Sequence, residues 1–331
     1  LLAPLLAALS VCAARAEDVA DFYRGKTMSI IVGTSAGNDY DLRARLIGKY
    51  MQKTIPGQPT VVVRNMPGGG GIVAANHLTQ VAARDGTNLH ALMSNMMTLQ
   101  ALGNAAVKFD TREFAFIGNS TTAPNVMAAW HTTGINSFDD LKKRNAIVGA
   151  PMGTSGALYA ELMNGLLGTK LNIVTGYPGG VEVNLAMERG EVDGAAGSWA
   201  AVRTGKKQWL EEKKIKIILQ DVPERAADLP DVPALGELGN NEADRQLLRL
   251  YASGGAIGRA FILPPGTPAP IVKALQTGFF DMTKDAEMIA EMQKSNLDLE
   301  YAPPEKLADE VKKTLATPKA VADRARELLA R

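Results

Sequence analysis

One cysteine, three histidines and few aromatic residues leave this 331-residue chain with little of the usual equipment for catalysis. Cys12 has no partner for an intramolecular disulfide and cannot build a thiolate metal site. His77, His90 and His131 fall at no spacing that suits a metal ion. Charge of one sign is also lacking: 36 Lys and Arg stand against 35 Asp and Glu, so nothing points to nucleic acid. After residue 16 no stretch is long and apolar enough to span a bilayer. The stretch Gly153-Thr154-Ser155-Gly156 has the wrong glycine pattern for a nucleophile elbow. Gly69 to Ala74 matches a G-x-G-x-x-A dinucleotide fingerprint, but glycine-rich runs do so by composition, and no acid is well placed at the next strand's end. No Walker lysine follows the glycines. Neither a cofactor nor a metal is therefore expected, and no catalytic residue can be named.

What the chain does have begins at its first residues. Leu1 to Cys12 is apolar, and Ala14-Arg15-Ala16 carries small residues at the two positions a signal peptidase reads. Cleavage after Ala16 is expected, giving an exported, periplasmic protein that starts at Glu17 and has no cysteine. A lipoprotein site at Cys12 fits less well, because Val11 precedes it. Without Arg15 the formal charge is zero, so any preference for an anion has to be local.

The stretch around which the rest is organised is Val61-Val62-Val63-Arg64-Asn65-Met66-Pro67-Gly68-Gly69-Gly70-Gly71. Three valines suit a buried parallel strand. Pro67 ends it, and the glycines free the backbone for positive φ. Ile72, Val73, Leu78 and Val81 then recur at helical spacing. Strand, glycine loop and helix together aim free backbone N–H groups at an anion. A second such unit precedes it. Met28 to Val32 reads as a strand, Gly33 to Asp41 as a small, polar loop, and Leu42, Leu46 and Tyr50 as one face of a helix. Asp39 and Asp41 stand where N-caps belong. Leu89 to Met93 is a third strand ending at Ser94-Asn95.

Near Ala123 the pattern restarts. Strands at Asn125–Trp130, Ile147–Ala150, Ile173–Val174, Val192–Ala196 and Ile215–Leu219 alternate with helices. Residues 221–241 are rich in Pro, Asp and Gly and read as a surface connection. Alternating strands and helices imply mainly parallel sheets flanked by helices, here in two lobes. The first lobe is expected over residues 17–124 and 250–331, the second over 125–249. Two crossings, near Pro124 and near residues 253–255, imply a hinge that closes on ligand in the cleft. In such sheets ligands sit beyond the carboxyl ends of the strands. The loops there carry hydroxyls, amides and glycine N–H groups, which bind an anion without reacting with it.

The ordered set Gly37…Asp41…Ala44-Arg45, Asn65-Met66-Pro67-Gly68-Gly69-Gly70-Gly71, Asp85-Gly86, Tyr177-Pro178-Gly179-Gly180, Gly190-Glu191-Val192-Asp193 and Pro265-Gly266-Thr267-Pro268 resembles the Bug-type periplasmic receptors. These are the extracytoplasmic solute receptors of tripartite tricarboxylate transporters. The resemblance covers nearly all of the mature chain. It implies a two-lobed periplasmic-binding-protein fold of type II with the ligand in the interlobe cleft. It implies a small organic carboxylate as ligand and integral membrane transporter subunits as partners, for a monomer that is not an enzyme. Carried over, the ligand-binding positions are Ser35, Ala36, Gly37 and Asp41 in the first loop and Gly69, Gly70 and Gly71 in the second. Ser94, Thr154, Ser155 and Ser198 match places where the family lines the cleft. The first loop departs from the family's run of glycines, having Asn38, Asp39 and Tyr40 instead. An amine or an aromatic ring on the ligand would suit that change. Two other readings stay open: an exported enzyme with a glycine-loop anion site, and a receptor that presents its ligand to a sensor kinase.

Overall fold

The computed structural model describes residues 18–329 other than 123, 152–155, 178–179, 200–201, 204–205 and 296. The expected signal sequence, Thr154 and Ser155 lie outside the described residues. In chain order the strands are β1 (Thr27–Val32), β2 (Thr60–Asn65), β3 (Asn88–Ala91), β4 (Ala115–Asn119), β5 (Asn125–Trp130), β6 (Ala146–Pro151), β7 (Leu171–Tyr177), β8 (Gly194–Ser198), β9 (Ile215–Asp221) and β10 (Ala260–Leu263). The helices that matter below are α1 (Asp39–Thr54), α2 (Ile72–Gln80), α3 (Met96–Ala101), α4 (Gly156–Leu167), α5 (Glu242–Ala252), α6 (Ala269–Met282) and α7 (Lys319–Leu329).

The chain forms two compact units, each with its own five-stranded sheet. The first sheet has the order β2-β1-β3-β10-β4 and the second β7-β6-β8-β5-β9. The two orders are equivalent. In each, one strand runs against the rest: β10 in the first sheet and β5 in the second. Each of these is the first strand after the chain enters that unit from the other. The remaining strands are parallel, as the alternation of strands and helices requires.

The core of the first unit joins Ile30 and Val32 of β1 and Leu89 of β3 to Ile47 and Met51 of α1 and Leu275 and Phe279 of α6. Those helical residues recur at fourth positions, which is the face a helix turns to a sheet. β2 departs from expectation. It is an edge strand paired only with β1, and Val62 is exposed. An apolar run does not distinguish an edge strand covered on one face from a central one.

The second unit buries Val148, Met163, Leu219 and Leu248 together with Val321 and Ala325 of α7. The sequence reading sets everything after residue 250 with the first lobe. The contacts instead divide the chain at 121/122, 258/259 and 309/310, and residues 97–104 also join the second unit. The amphipathic α7 finds its apolar partners on α4 and α5, where Arg324 also pairs with Asp244.

Candidate functional site

The loop between β1 and α1 is held by its own side chains. Asn38 is the N-cap, accepting the Asp41 N–H, while its amide donates to the Ser35 carbonyl at 2.7 Å. The acids expected as caps do other work. Asp41 is buried, and its carboxylate accepts the Gly37 N–H at 2.8 Å, the Arg45 Nε and Nη2 at 3.0 and 2.9 Å, and the Asn65 amide at 2.9 Å. Asn65 also donates to the Thr34 carbonyl at 3.0 Å. One carboxylate thus ties the loop, the first turn of α1 and the end of β2 together. Burial alone would raise the Asp41 carboxyl, but the bonds from Arg45, Gly37 and Asn65 together hold it below the ordinary range.

The second loop packs against the first through two glycines. A Cβ on Gly33 would come within 2.9 Å of the Gly71 Cα, and one on Gly71 within 2.4 Å of the Met93 Cγ. Gly68 to Gly71 all have positive φ, between +56° and +139°, which side chains would penalise. The start of α2 therefore sits beside the loop that leads into α1. Among the described residues, the N–H groups of Ser35, Ala36, Gly69 and Gly70 have no intramolecular acceptor. Those of Gly37, Gly71 and Ser94 are already committed, to Asp41, to the Gly68 carbonyl and to the Tyr40 hydroxyl.

A third loop closes the arc. The Gly70 Cβ position is 3.7 Å from the Asn95 amide nitrogen, and the buried Asn95 Oδ1 has no partner. Next to Asn95, the Ser94 N–H donates to the Tyr40 hydroxyl at 3.1 Å. Arg259, which opens the first unit's last segment, lies over the Tyr40 ring at 4.4 Å. Its Nε meets Asp39 at 2.6 Å, and Asp39 also takes the Arg43 Nε at 2.8 Å. Arg43 donates to the Asp298 carbonyl at 2.6 Å and pairs with its carboxylate, which also accepts from the Thr121 hydroxyl. Burial would raise the Asp39 carboxyl; Arg259 and Arg43 outweigh it and hold the group ionised. Asp39 is thus engaged by two guanidinium groups. The cluster's two acids and two arginines cancel, which leaves the loop N–H groups as the local attraction for an anion.

In the second unit, Ser198 ends β8 and pairs in register with Asn125, whose other neighbour is Asp221 at the end of β9. The sequence reading names Ser198 but leaves Asp221 in a surface connection. Asn38, which caps α1 through neighbours within four residues, has no role in that reading, nor do Asn65 and Asn95, whose neighbours in the fold lie far along the chain. Among the described residues no group of three or more His, Cys, Asp and Glu could hold a metal ion, and no helix is long and apolar enough to cross a membrane.

Paired sheets of equivalent order, with helix-opening loops at their strands' carboxyl ends, place the chain in the class of solute-binding proteins. Residues 44–325 match the model of the tripartite tricarboxylate transporter family receptor (TctC), and the chain belongs to that family. A protein named UPF0065, from the TAR-I ttuE-ttuC' intergenic region of Agrobacterium vitis, is 28% identical over 278 residues, 81% of this chain and 75% of that protein. The periplasmic binding protein BugD superposes with a TM-score of 0.62 at 21% identity, over 92% of this chain and 98% of that one. MatC from Rhodopseudomonas palustris, solved with bound malate, does so with a TM-score of 0.60 at 21% identity, over 90% and 99%. The chain is thus a receptor of a tripartite tricarboxylate transporter, with the α/β fold expected from its sequence.

Proposed function

We propose that this receptor captures a small organic carboxylate in the periplasm and delivers it to the membrane subunits of its transporter. The observation that carries this reading is the set of unpartnered N–H groups at Ser35, Ala36, Gly69 and Gly70, at the starts of two adjacent helices. Such groups satisfy carboxylate oxygens without any change in protonation. The similarity to MatC, solved with malate, supports the same ligand class. Of the sequence-predicted residues, Ser35, Ala36, Gly69 and Gly70 would bind directly. Gly37, Asp41, Gly71 and Ser94 would hold those loops in shape, since their own groups are engaged within the chain.

Binding without catalysis is part of the proposal. His77 and His90 lie in helix and strand, and neither donates to or accepts from an orienting carboxylate among the described residues. Export by cleavage after Ala16 and a monomeric state complete it. N-terminal sequencing of exported protein and light scattering test these two points.

Mass spectrometry of ligand released from natively purified protein, followed by calorimetric titration with the acid found, tests the whole. A carboxylate that binds one-to-one is the expected result. Turnover of that acid, or a co-purifying ligand with no acidic group, would overturn it.

A further inference from the structure

The edge of the second sheet where β8 and β9 begin, opposite to Ser198, carries an aromatic and basic patch. Trp130 ends β5 there. It is the Cα partner of Ile215, the first residue of β9, so the two side chains leave the same face. On that face Trp209, from the short helix Lys207–Glu211, meets Trp130 in a T-shaped contact with ring centroids 5.0 Å apart. The His131 ring lies 5.2 Å from Trp130. Both indoles are half-buried, whereas the chain's third, Trp199, is buried and donates to Asp228 at 2.7 Å.

Basic side chains gather around this pair. Residues 203–216 hold six Lys and Arg against two Glu, in a chain whose totals are 36 and 35. Three of the six are paired: Arg203 with Asp228, Lys207 with Glu211 and Lys214 with Glu212. Lys206, Lys213 and Lys216 meet no carboxylate among the described residues. The Lys206 Nζ lies over the Trp209 ring, 4.1 Å from its centroid. Burial there lowers its pKa from the ordinary lysine value, a direction that a neighbouring anion reverses. Lys213 and Lys216 are exposed. Lys213 has φ +54°, so charge stands where the turn alone would favour glycine. The Lys214 N–H donates to the Trp209 carbonyl at 2.8 Å and the His131 N–H to the Lys214 carbonyl at 2.9 Å, which fixes the basic turn beside both indoles.

Tryptophan and lysine together suit the interface of a bilayer, with the indole at headgroup depth and the ammonium on phosphate. Lysine carries a point charge on a flexible stem. It matches a field of phosphates better than one carboxylate in fixed geometry.

We propose that this edge of the second unit rests on an anionic bilayer surface, with Lys206, Lys213 and Lys216 on lipid phosphates and Trp130 and Trp209 at headgroup depth. Such a contact keeps the receptor at the membrane that holds its transporter. It involves none of the glycine-loop residues and needs no bound acid.

The test is co-sedimentation of the mature protein with two kinds of vesicle, at about 25 mM and about 500 mM salt. One kind is phosphatidylethanolamine and phosphatidylglycerol at about three to one, the other phosphatidylcholine alone. The wild type should bind the anionic vesicles at low salt, lose at least about tenfold in affinity at high salt, and stay at background with phosphatidylcholine. Tryptophan emission should shift to the blue on binding. Lys206→Glu, Lys213→Glu and Lys216→Glu together should weaken binding at least about tenfold. Lys53→Glu, Lys273→Glu and Lys284→Glu make the same change of charge on the first unit, and should weaken it less than about threefold. Lys213→Gln with Lys216→Gln, at two exposed positions, keeps the comparison sound if the reversals disturb the fold: affinity should fall about threefold or more. No binding to anionic vesicles at low salt, or equal losses in the two triple variants, would overturn the proposal and leave the carboxylate receptor standing. Binding confined to phosphatidylcholine vesicles that carry the transporter's membrane subunits would assign the patch to a protein face and overturn the lipid contact.

Discussion

The Tyr40 hydroxyl accepts the backbone N–H of Ser94 at 3.1 Å, and so joins the first turn of α1 to the loop after β3. Those residues are 54 positions apart. Tyr40→Phe should remove this single bond, at about 1 kcal/mol of stability. The ring and its stacking with Arg259 should stay. Binding of the natural ligand should weaken several-fold, because the Ser94–Asn95 loop then loses its fixed distance from Ser35 and Ala36. Titration with the released ligand checks this. Unchanged affinity would show that the third loop does not shape the site.

Gly70 and Ser35 make a contrasting pair. Gly70 has φ +61°, and a Cβ there meets only Asn95 at 3.7 Å. Valine at that position is penalised by the left-handed backbone and covers the free N–H. Gly70→Val should weaken binding at least about a hundredfold, roughly 2.7 kcal/mol, with the fold retained. Ser35→Ala keeps the backbone donor and should cost about 1 kcal/mol or less. The reverse order in calorimetry would mean that side chains, not backbone groups, hold the anion.

Asp41 and Asp39 should also separate in mutagenesis. Asp41→Ala leaves the Gly37 N–H without its acceptor, Arg45 without its carboxylate and the Asn65 amide with the Thr34 carbonyl alone, and should lower stability by about 2–4 kcal/mol. Asp39→Ala leaves Arg43 its Asp298 contacts and Arg259 its place over the Tyr40 ring, though without a carboxylate partner, and should cost less than Asp41→Ala. Urea denaturation of both variants gives the comparison. Equal losses would contradict the role of Asp41 as the loop's anchor.

His90 sets a pH limit. It sits mid-sheet in β3, opposite Ile31 and Ile262, with both ring nitrogens unpartnered. Burial, with a smaller contribution from His77, holds its pKa down to about 3. The unfolded chain protonates the same ring near ~6.5. Stability is therefore intact above that pH and is lost as pH falls through this window towards the folded value. At pH 5 the loss should be about 2 kcal/mol. His90→Leu should flatten the dependence between pH 7 and 5, and should not destabilise at pH 7, since no hydrogen bond is removed. A variant as acid-sensitive as the wild type would place the effect elsewhere.

Local pattern by itself determined much of this protein. The strands at Thr27–Val32 and Asn125–Trp130, the glycine turn into α2 and the alternation that makes two α/β units were all legible. Each follows from preferences acting within a few residues: β-branched runs, positive φ at glycine, apolar repeats of a helix face. The choice of partners was not legible. Whether Val61 to Val63 lie mid-sheet or at an edge depends on strands elsewhere in the chain. That Asp39 meets an arginine 220 residues away, and that α7 packs against α4 and α5, depends on which surfaces the fold brings together. Asp221 shows the limit most plainly. Its neighbours in sequence mark a turn, and only its register with Asn125 sets an unpaired carboxylate at the sheet's edge. Pairing across a sheet is settled by burial and hydrogen bonding over the whole unit, and no local stretch of sequence encodes it alone.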